Sequence, residues 1–200
     1  NSEMDATIGE GEGSSYARYA SGFEVDNYGT FKLLHVFDPW QSSKGVTFSY
    51  VLAENRAFVP DSLEHLTFIQ TPVSSVVTLS TTHVAMIDQL GKGTSIKGVS
   101  GTEFIYNSSL RNRIEDGDVK EVGYDQGLNY EAIVGLQPDV LFMYGVDGSV
   151  MATSQKLAEL SVPVVFCGDY LEPHPLGKAE WIRFLSLFYD MEEHADRFFL

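Results

Sequence analysis

The chain has 200 residues, 44% of them hydrophobic and 12% aromatic, so it can bury a core and does not fit the disordered class. Lys and Arg total 13 against 28 Asp and Glu, and the formal charge of −15 argues against a nucleic-acid partner because it repels phosphate backbones. No apolar run approaches the roughly 18 residues of a membrane span. The single cysteine, Cys167, excludes a disulfide framework and a multi-cysteine metal site.

Both ends of the chain carry signals of processing or truncation. The opening is polar, acidic and rich in glycine, which predicts a flexible leader over residues 1–30 or the mature N-terminus of an exported protein. The last residues, 197–200, stop inside an apolar helical pattern without a stop signal. This pattern predicts a piece of a longer protein.

The sequence pattern of residues 31–70 predicts an antiparallel β extension. Phe31–Phe37 and Val46–Leu52 are rich in β-branched and aromatic residues and are separated by a Ser-Ser-Lys-Gly turn. After a loop broken by Pro60, Leu66–Gln70 is predicted as a short third strand.

From residue 71 onward, short strands alternate with helices. The predicted strands are Ser75–Leu79, Ile96–Val99, Val119–Val122, Val140–Tyr144 and Val162–Phe166. The predicted helices are Thr82–Leu90, Asn107–Ile114, Tyr130–Leu136, Thr153–Leu160, Gly177–Tyr189 and Glu192–Leu200. This alternation predicts an α/β domain over residues 71–200, with a mostly parallel sheet and helices on both faces.

The turns that follow the predicted strands are rich in hydroxyl and aromatic side chains. Ligands bind open parallel sheets outside the carboxyl ends of the strands, so these turns are candidates to line a binding surface. The candidate residues are Ser80, Thr81, His83, Thr102, Tyr124, Tyr144 and Tyr170. Ordinary helix capping is the more frequent role of hydroxyl residues placed like Ser80 and Thr81, and a first-turn histidine such as His83 is more often a solvated or hydrogen-bonded bystander.

Sequence motifs of common enzyme classes are missing. Gly91-Lys92-Gly93-Thr94 lacks the earlier glycine and the preceding strand of a phosphate-binding loop, and no G-x-G-x-x-G, H-E-x-x-H or G-x-S-x-G pattern occurs. Cys167 has no histidine nearby in sequence and is predicted to be a buried structural thiol. An enzyme subunit is therefore disfavoured, and a binding protein is favoured.

Glu131 stands in the first turn of a helix that Asn129 is predicted to cap. A carboxylate there stabilises the helix dipole, and an exposed one could also accept a bidentate arginine from a partner. The residues alone leave the two readings open.

Several stretches resemble a known family. They are residues 76–83, Gly98–Gly101, Asn129–Val140 with its helix–Pro–Asp–strand pattern, and Glu172–Ile182. In this order they are similar to the helical-backbone (class III) substrate-binding proteins of ABC importers, of the ferric-siderophore, haem and cobalamin type. The resemblance covers about residues 70–200 and implies the N-terminal one of two α/β lobes, with the chain ending near or in the inter-lobe helix.

The resemblance implies a non-enzymatic receptor without a cofactor of its own, which captures an iron chelate (ferric siderophore or haem) and delivers it to a membrane permease. Glu131 matches the family's permease-docking glutamate, and Glu172 is a second candidate for that surface. Cobalamin is the alternative ligand. A second alternative is bare zinc or manganese held by His83, His174 and Asp169. The implied location is the periplasm or the cell-envelope surface, with a lipid anchor left open.

Overall fold

The computed structural model describes residues 16–124 and 127–199, which form two sheets and six α-helices. The strands are β1 (Phe23–Asn27), β2 (Lys32–Phe37), β3 (Thr47–Ala53), β4 (Thr67–Gln70), β5 (Val76–Thr78), β6 (Ile96–Val99), β7 (Lys120–Glu121), β8 (Val140–Met143) and β9 (Val164–Phe166). The helices are α1 (Thr81–Gln89), α2 (Ser108–Glu115), α3 (Tyr130–Leu136), α4 (Val150–Glu159), α5 (Pro175–Ser186) and α6 (Glu192–Asp196).

The larger sheet is all-parallel, and its strands lie in the order β7-β6-β5-β8-β9. The chain runs outward from β5 to β7, then crosses back to β8 and continues to β9 on the other side. Right-handed crossovers in such an order place helices on both faces of the sheet, which confirms the predicted α/β class. The direction of winding reverses between β5 and β8, where open sheets of this type form a crevice.

Local sequence explains the elements of this sheet. All four residues of β8 are apolar and buried, as expected for a central parallel strand that is covered on both faces. Helix α1 buries Val84 and Ile87, which lie three residues apart on one face. Its first turn is capped by Ser80, whose Oγ accepts a backbone N–H at 3.3 Å.

The smaller sheet has the order β1-β2-β3-β4. The antiparallel pairing of β2 with β3 confirms the predicted meander, but β4 pairs with β3 in parallel. The physical reason is the connection between β3 and β4, which crosses over the outer face of the sheet. Val59 and Leu63 on this connection bury against Val51 and the neighbouring apolar side chains of that face.

The leader predicted over residues 1–30 is wrong for its second half, because Phe23–Asn27 forms β1 and residues 18–22 are held by two buried carboxylates. Glu180 accepts the backbone N–H groups of residues 18–20 at 2.6–3.0 Å. Glu172 accepts those of residues 21 and 22 at 2.8–2.9 Å, and the indole N–H of Trp181 at 3.2 Å. Residues 1–15 lie outside the described part of the chain.

The two sheets share one hydrophobic core. On the side of the small sheet, the ring of Phe23 meets Trp181 and Phe184 of α5 edge-on, with centroids 5.1 and 5.3 Å apart. On the side of the large sheet, Phe188 meets Phe142 of β8 edge-on at 4.9 Å. The β extension is therefore packed into the α/β domain through α5 and the turn that follows it.

Several helix boundaries differ from the prediction, by up to four residues. Helix α4 begins at Val150, three residues before the predicted start, and α6 ends at Asp196, while Leu200 lies outside the described residues. In the described ranges, none of the helices has the length and apolar character needed to cross a membrane.

Candidate ligand-binding cleft

The five turns predicted to carry the site follow five parallel strands, so they lie along one edge of the large sheet. A cleft of about 380 Å³ opens on this edge at the reversal point between β5 and β8. The described residues that line it are Leu79, Tyr124, Leu128, Met143, Tyr144, Val146, Asp147, Ser149, Val150 and Thr153. The prediction that the five turns lie along one edge is confirmed, and three of them, those after β5, β7 and β8, contribute described residues to the lining.

Two of the predicted ligand-contacting residues line the cleft, and a third supports it. Tyr124 and Tyr144 are 69% and 41% exposed, so their rings are available to a ligand. Tyr170 packs its ring edge-on against Tyr144 at a centroid distance of 6.1 Å, and its hydroxyl donates to the carbonyl of Gly145. Tyr144 and Tyr170 thus connect the turns after β8 and β9.

Three hydroxyl residues lie at the same edge but outside the lining. Ser80 caps α1, and Thr81 is exposed in the first turn of that helix. Thr102 donates its backbone N–H to Glu121 at 2.8 Å, which ties the turn after β6 to the end of β7. Contact of any of the three with a ligand stays a prediction.

His83 does not face the cleft, and the prediction that it contacts a ligand is wrong. Its side chain is buried at 1% exposure, with Nε2 2.9 Å from Asp169 Oδ1 and Nδ1 3.3 Å from Thr78 Oγ1. These contacts join β5 and α1 to the turn after β9, which is a structural role.

Bare-metal ligation has no support in the described parts of the chain. His83 and Asp169 pair with each other, whereas His174 caps α5 by accepting the N–H of Leu176 at 3.3 Å. Across residues 16–124 and 127–199, no three His, Cys, Asp or Glu side chains come together in a group that could hold a metal ion.

The two candidate docking glutamates differ in exposure. Glu131 is exposed in the first turn of α3, where Asn129 accepts the N–H of Ala132 at 2.9 Å and caps the helix. Glu172 is 4% exposed, and its carboxylate is occupied by residues 21 and 22 and by Trp181. Glu172 therefore cannot present a free carboxylate to a partner, and its predicted docking role is corrected.

Residues 145–149 form the wall of the cleft that residue-level prediction missed. Val146 is 55% exposed on this turn, and Asp147 Oδ1 accepts the N–H of Ser149 at 2.8 Å just before α4 begins. The sequence indicated a turn from Gly145 to Gly148 after an apolar strand, but an aliphatic residue such as Val146 does not by itself indicate a binding role.

The β extension supports this wall from below through Trp40. The indole packs edge-on against Phe166 at 5.8 Å, and a Cβ built on Gly145 would lie only 3.2 Å from Trp40 Cβ. At Gly148 the same construction gives 3.9 Å to the indole nitrogen. The conformation of the cleft turn thus depends on a residue that lies about a hundred positions earlier in the chain.

Two carboxylates at this edge, those of Asp147 and Glu121, have lowered pKa values. Hydrogen bonds from the Ser149 side chain and N–H hold the pKa of Asp147 below its usual value. Burial alone would raise the pKa of Glu121, but the N–H groups of Thr102, Gly101 and Gly123 overcome that effect and lower it. Both carboxylates are therefore ionised at neutral pH, whereas full burial raises the pKa of the Cys167 thiol and keeps it neutral.

The fold is a doubly wound α/β domain with an open cleft at its switch point. Residues 76–188 match the family model described as periplasmic binding protein. This match covers more than half of the chain, and the chain belongs to that family.

Curated relatives come from Methanocaldococcus jannaschii. Uncharacterized lipoprotein MJ0872 is 30% identical over 186 residues, which cover 89% of this chain and 47% of that protein. Uncharacterized lipoprotein MJ0878 is 30% identical over 138 residues, which cover 66% of this chain and 33% of that protein. The chain thus spans between a third and about half of the length of these relatives.

Solved structures show the same fold. The petrobactin-binding protein YclQ from Bacillus subtilis matches with a TM-score of 0.50 at 13% identity, over 64% of this chain and 43% of that one. A periplasmic binding protein from Veillonella parvula matches with a TM-score of 0.51 at 14% identity, over 76% and 46% of the two chains.

Proposed function

We propose that this chain is one lobe of the substrate-binding component of an ABC importer, which captures an iron chelate at the cell envelope and delivers it to a permease. The observation that carries the proposal is the aromatic and aliphatic cleft at the switch point of a sheet that belongs to the periplasmic binding protein family. A second lobe would close over this cleft. The role is binding without a chemical reaction.

The chemistry of the lining favours a ligand whose metal is already enclosed by a chelator. Tyr124 and Tyr144 offer rings for stacking, and the aliphatic side chains offer apolar contact, while Asp147, Ser149 and Thr153 add single polar groups. A ferric siderophore, haem or, as the alternative, cobalamin presents such a surface. A bare zinc or manganese ion would need several ligating groups, and the described lining contains one carboxylate.

Location at the cell envelope is supported by two relatives that are named lipoproteins. Glu131 is the proposed contact to the permease. It lies at the N-terminal end of α3, which starts on the same edge of the sheet as the cleft, and it is exposed. An arginine of the permease could bind this carboxylate with two parallel hydrogen bonds.

The test compares two charge reversals in the full-length receptor. Glu131→Arg should lower uptake of a radiolabelled ferric chelate by about tenfold or more, because it places like charges at the contact, and should leave the affinity for the chelate unchanged. Glu159→Arg is the matched control, since Glu159 is exposed at the end of α4 near the opposite edge of the sheet.

Two results would count against the proposal. Equal uptake by both variants and the wild type would remove Glu131 from the interface. Absence of binding to any ferric chelate or corrinoid, measured by quenching of tryptophan fluorescence, would contradict the receptor function. Trp40 lies beneath the cleft turn and provides the reporter.

A further inference from the structure

The charged groups of the cleft have one sign. Asp147 is the only charged residue in the lining that the structure describes, and it belongs to the turn that forms one wall. Glu121 adds a second carboxylate at the same edge, fixed between the turns after β6 and β7 by N–H groups at 2.8–3.2 Å. An anion that entered the cleft would meet these carboxylates without a cation from the described lining to offset them.

Three basic residues of the neighbouring helices, Arg111, Arg113 and Lys156, contact partners that lie outside the described lining. Lys156 of α4 places Nζ 3.9 Å from the centre of the Tyr130 ring. Arg113 of α2 donates to the carbonyls of Gly93 and Ile96, near the start of β6 and so at the opposite edge of the sheet. None of these basic groups belongs to the described lining.

Burial of a ligand in the cleft would strengthen the effect of this negative charge on ligand affinity. A charge that leaves water keeps its full desolvation cost unless an opposite charge or a hydrogen-bond donor compensates it. The described lining offers the hydroxyl groups of Tyr124, Tyr144, Ser149 and Thr153 but no cationic donor, so the charge of an ionised ligand carboxylate or catecholate would meet no opposite charge there. A neutral ligand avoids the cost, and a cationic ligand gains from Asp147.

We infer that this cleft selects metal chelates with zero or positive net charge and discriminates against multiply anionic ones. The inference rests on the proposed function and deepens it. Neutral ferric trihydroxamates and corrinoids fall in the favoured group. Haem, which carries two propionates, and ferric tris-catecholates, which carry three negative charges, fall in the disfavoured group.

A charge series on one chelate tests the inference in the full-length protein. Ferrioxamine B has a terminal ammonium group, its N-acetyl derivative is neutral, and its N-succinyl derivative ends in a carboxylate, while the iron centre is the same in all three. Aquacobalamin, ferric haem and a ferric tris-catecholate complete the panel. Dissociation constants are measured by tryptophan fluorescence quenching at low and high salt.

We expect the cation to bind about tenfold or more tightly than the succinylated anion, with a difference that shrinks at high salt. Asp147→Asn should reduce this ratio several-fold, since Asn keeps an oxygen to accept the N–H of Ser149 and loses only the charge. Asp116→Asn, exposed at the end of α2, is the control and should leave the ratio unchanged.

The outcomes separate the two proposals. Tightest binding by haem, the tris-catecholate or the succinylated derivative would overturn the inference and leave the receptor function standing. Absence of binding across the whole panel would overturn the receptor function and the inference with it. The wild-type series decides the matter even if Asp147→Asn does not fold.

Discussion

Replacement of Glu180 by glutamine tests whether a buried carboxylate holds the N-terminal segment in place. Glu180 has 0% exposure, and its two oxygens accept three backbone N–H groups of residues 18–20 and Nη1 of Arg183 at 3.0 Å. Glutamine would keep one acceptor oxygen and would turn its amide N–H groups toward the same donors.

The expected cost follows from these contacts. Hydrogen bonds to a charged group contribute about 1.5–3 kcal/mol each, and breaking a buried charge pair costs about 3–5 kcal/mol. Arg183 retains Asp196, whose Oδ1 lies 2.7 Å from Nη2, so part of its charge stays compensated. We expect Glu180→Gln to lower the free energy of unfolding by about 3–5 kcal/mol, a large part of the stability of a typical domain.

The pH dependence gives an independent check. Burial alone would raise the pKa of Glu180, but hydrogen bonds from the N–H groups of residues 18–20 and from Arg183 lower it below the ordinary value of 4.5. The stabilisation is therefore fully present above the pKa of the unfolded chain and is lost as pH falls through the lower pKa of the folded state. The difference in the free energy of unfolding between the wild type and Glu180→Gln should therefore decrease at acidic pH.

Urea denaturation followed by circular dichroism measures both effects. Glu193→Gln is the matched control, because Glu193 is exposed on α6 and should change the stability by less than about 0.5 kcal/mol. A stability change within the same limit for Glu180→Gln, or a loss of stability that stays constant between neutral and acidic pH, would contradict the anchoring role of this carboxylate.

Three further stability predictions use the same unfolding assay. Gly98→Ala should lower the free energy of unfolding by about 1–3 kcal/mol, since the new methyl group would lie 2.8–3.1 Å from three apolar side chains. Gly135→Ala should raise it by about 0.5–1 kcal/mol, because a Cβ at this helical position would meet nothing within 4 Å. Equal effects of the two substitutions would contradict this. Asp139→Asn should cost about 1–2 kcal/mol, because Oδ2 accepts two N–H groups and a hydroxyl at 2.7–3.0 Å, and an unchanged midpoint would speak against it. Tyr50→Phe removes the hydroxyl oxygen that accepts the N–H of Phe166 at 3.1 Å, and it should lower the free energy of unfolding by about 1–3 kcal/mol. An unchanged rate of hydrogen exchange at the Phe166 amide would show that this hydrogen bond does not contribute to stability.

Local sequence patterns account for the large sheet and for the edge that carries the cleft. The alternation of short apolar strands with helical stretches requires crossovers, and crossovers make the strands parallel. Once the strands are parallel, the turns with Tyr124 and Tyr144 must lie at the same edge. The capping of α1 by Ser80 and of α3 by Asn129 also follows from residue type and position alone.

Contacts between distant parts of the chain determine which polar side chains are buried and how the N-terminal segment and the cleft turn are held. No local sequence signal distinguishes Glu172 and Glu180 from surface charges. They nevertheless bind backbone groups 150–162 residues earlier and convert a predicted leader into an anchored strand. His83 is buried and pairs with Asp169, which lies 86 residues later in the chain. Trp40 likewise packs against the cleft turn from a distant position in the chain.

The sequence by itself determined the class of fold and the edge at which a ligand can bind, because both depend on periodicity and strand direction. Only the tertiary structure decided which polar groups remain exposed there. A carboxylate or imidazole at a turn is equally compatible with solvent, ligand or a distant backbone, and the choice depends on which atoms the folded chain brings within hydrogen-bonding distance.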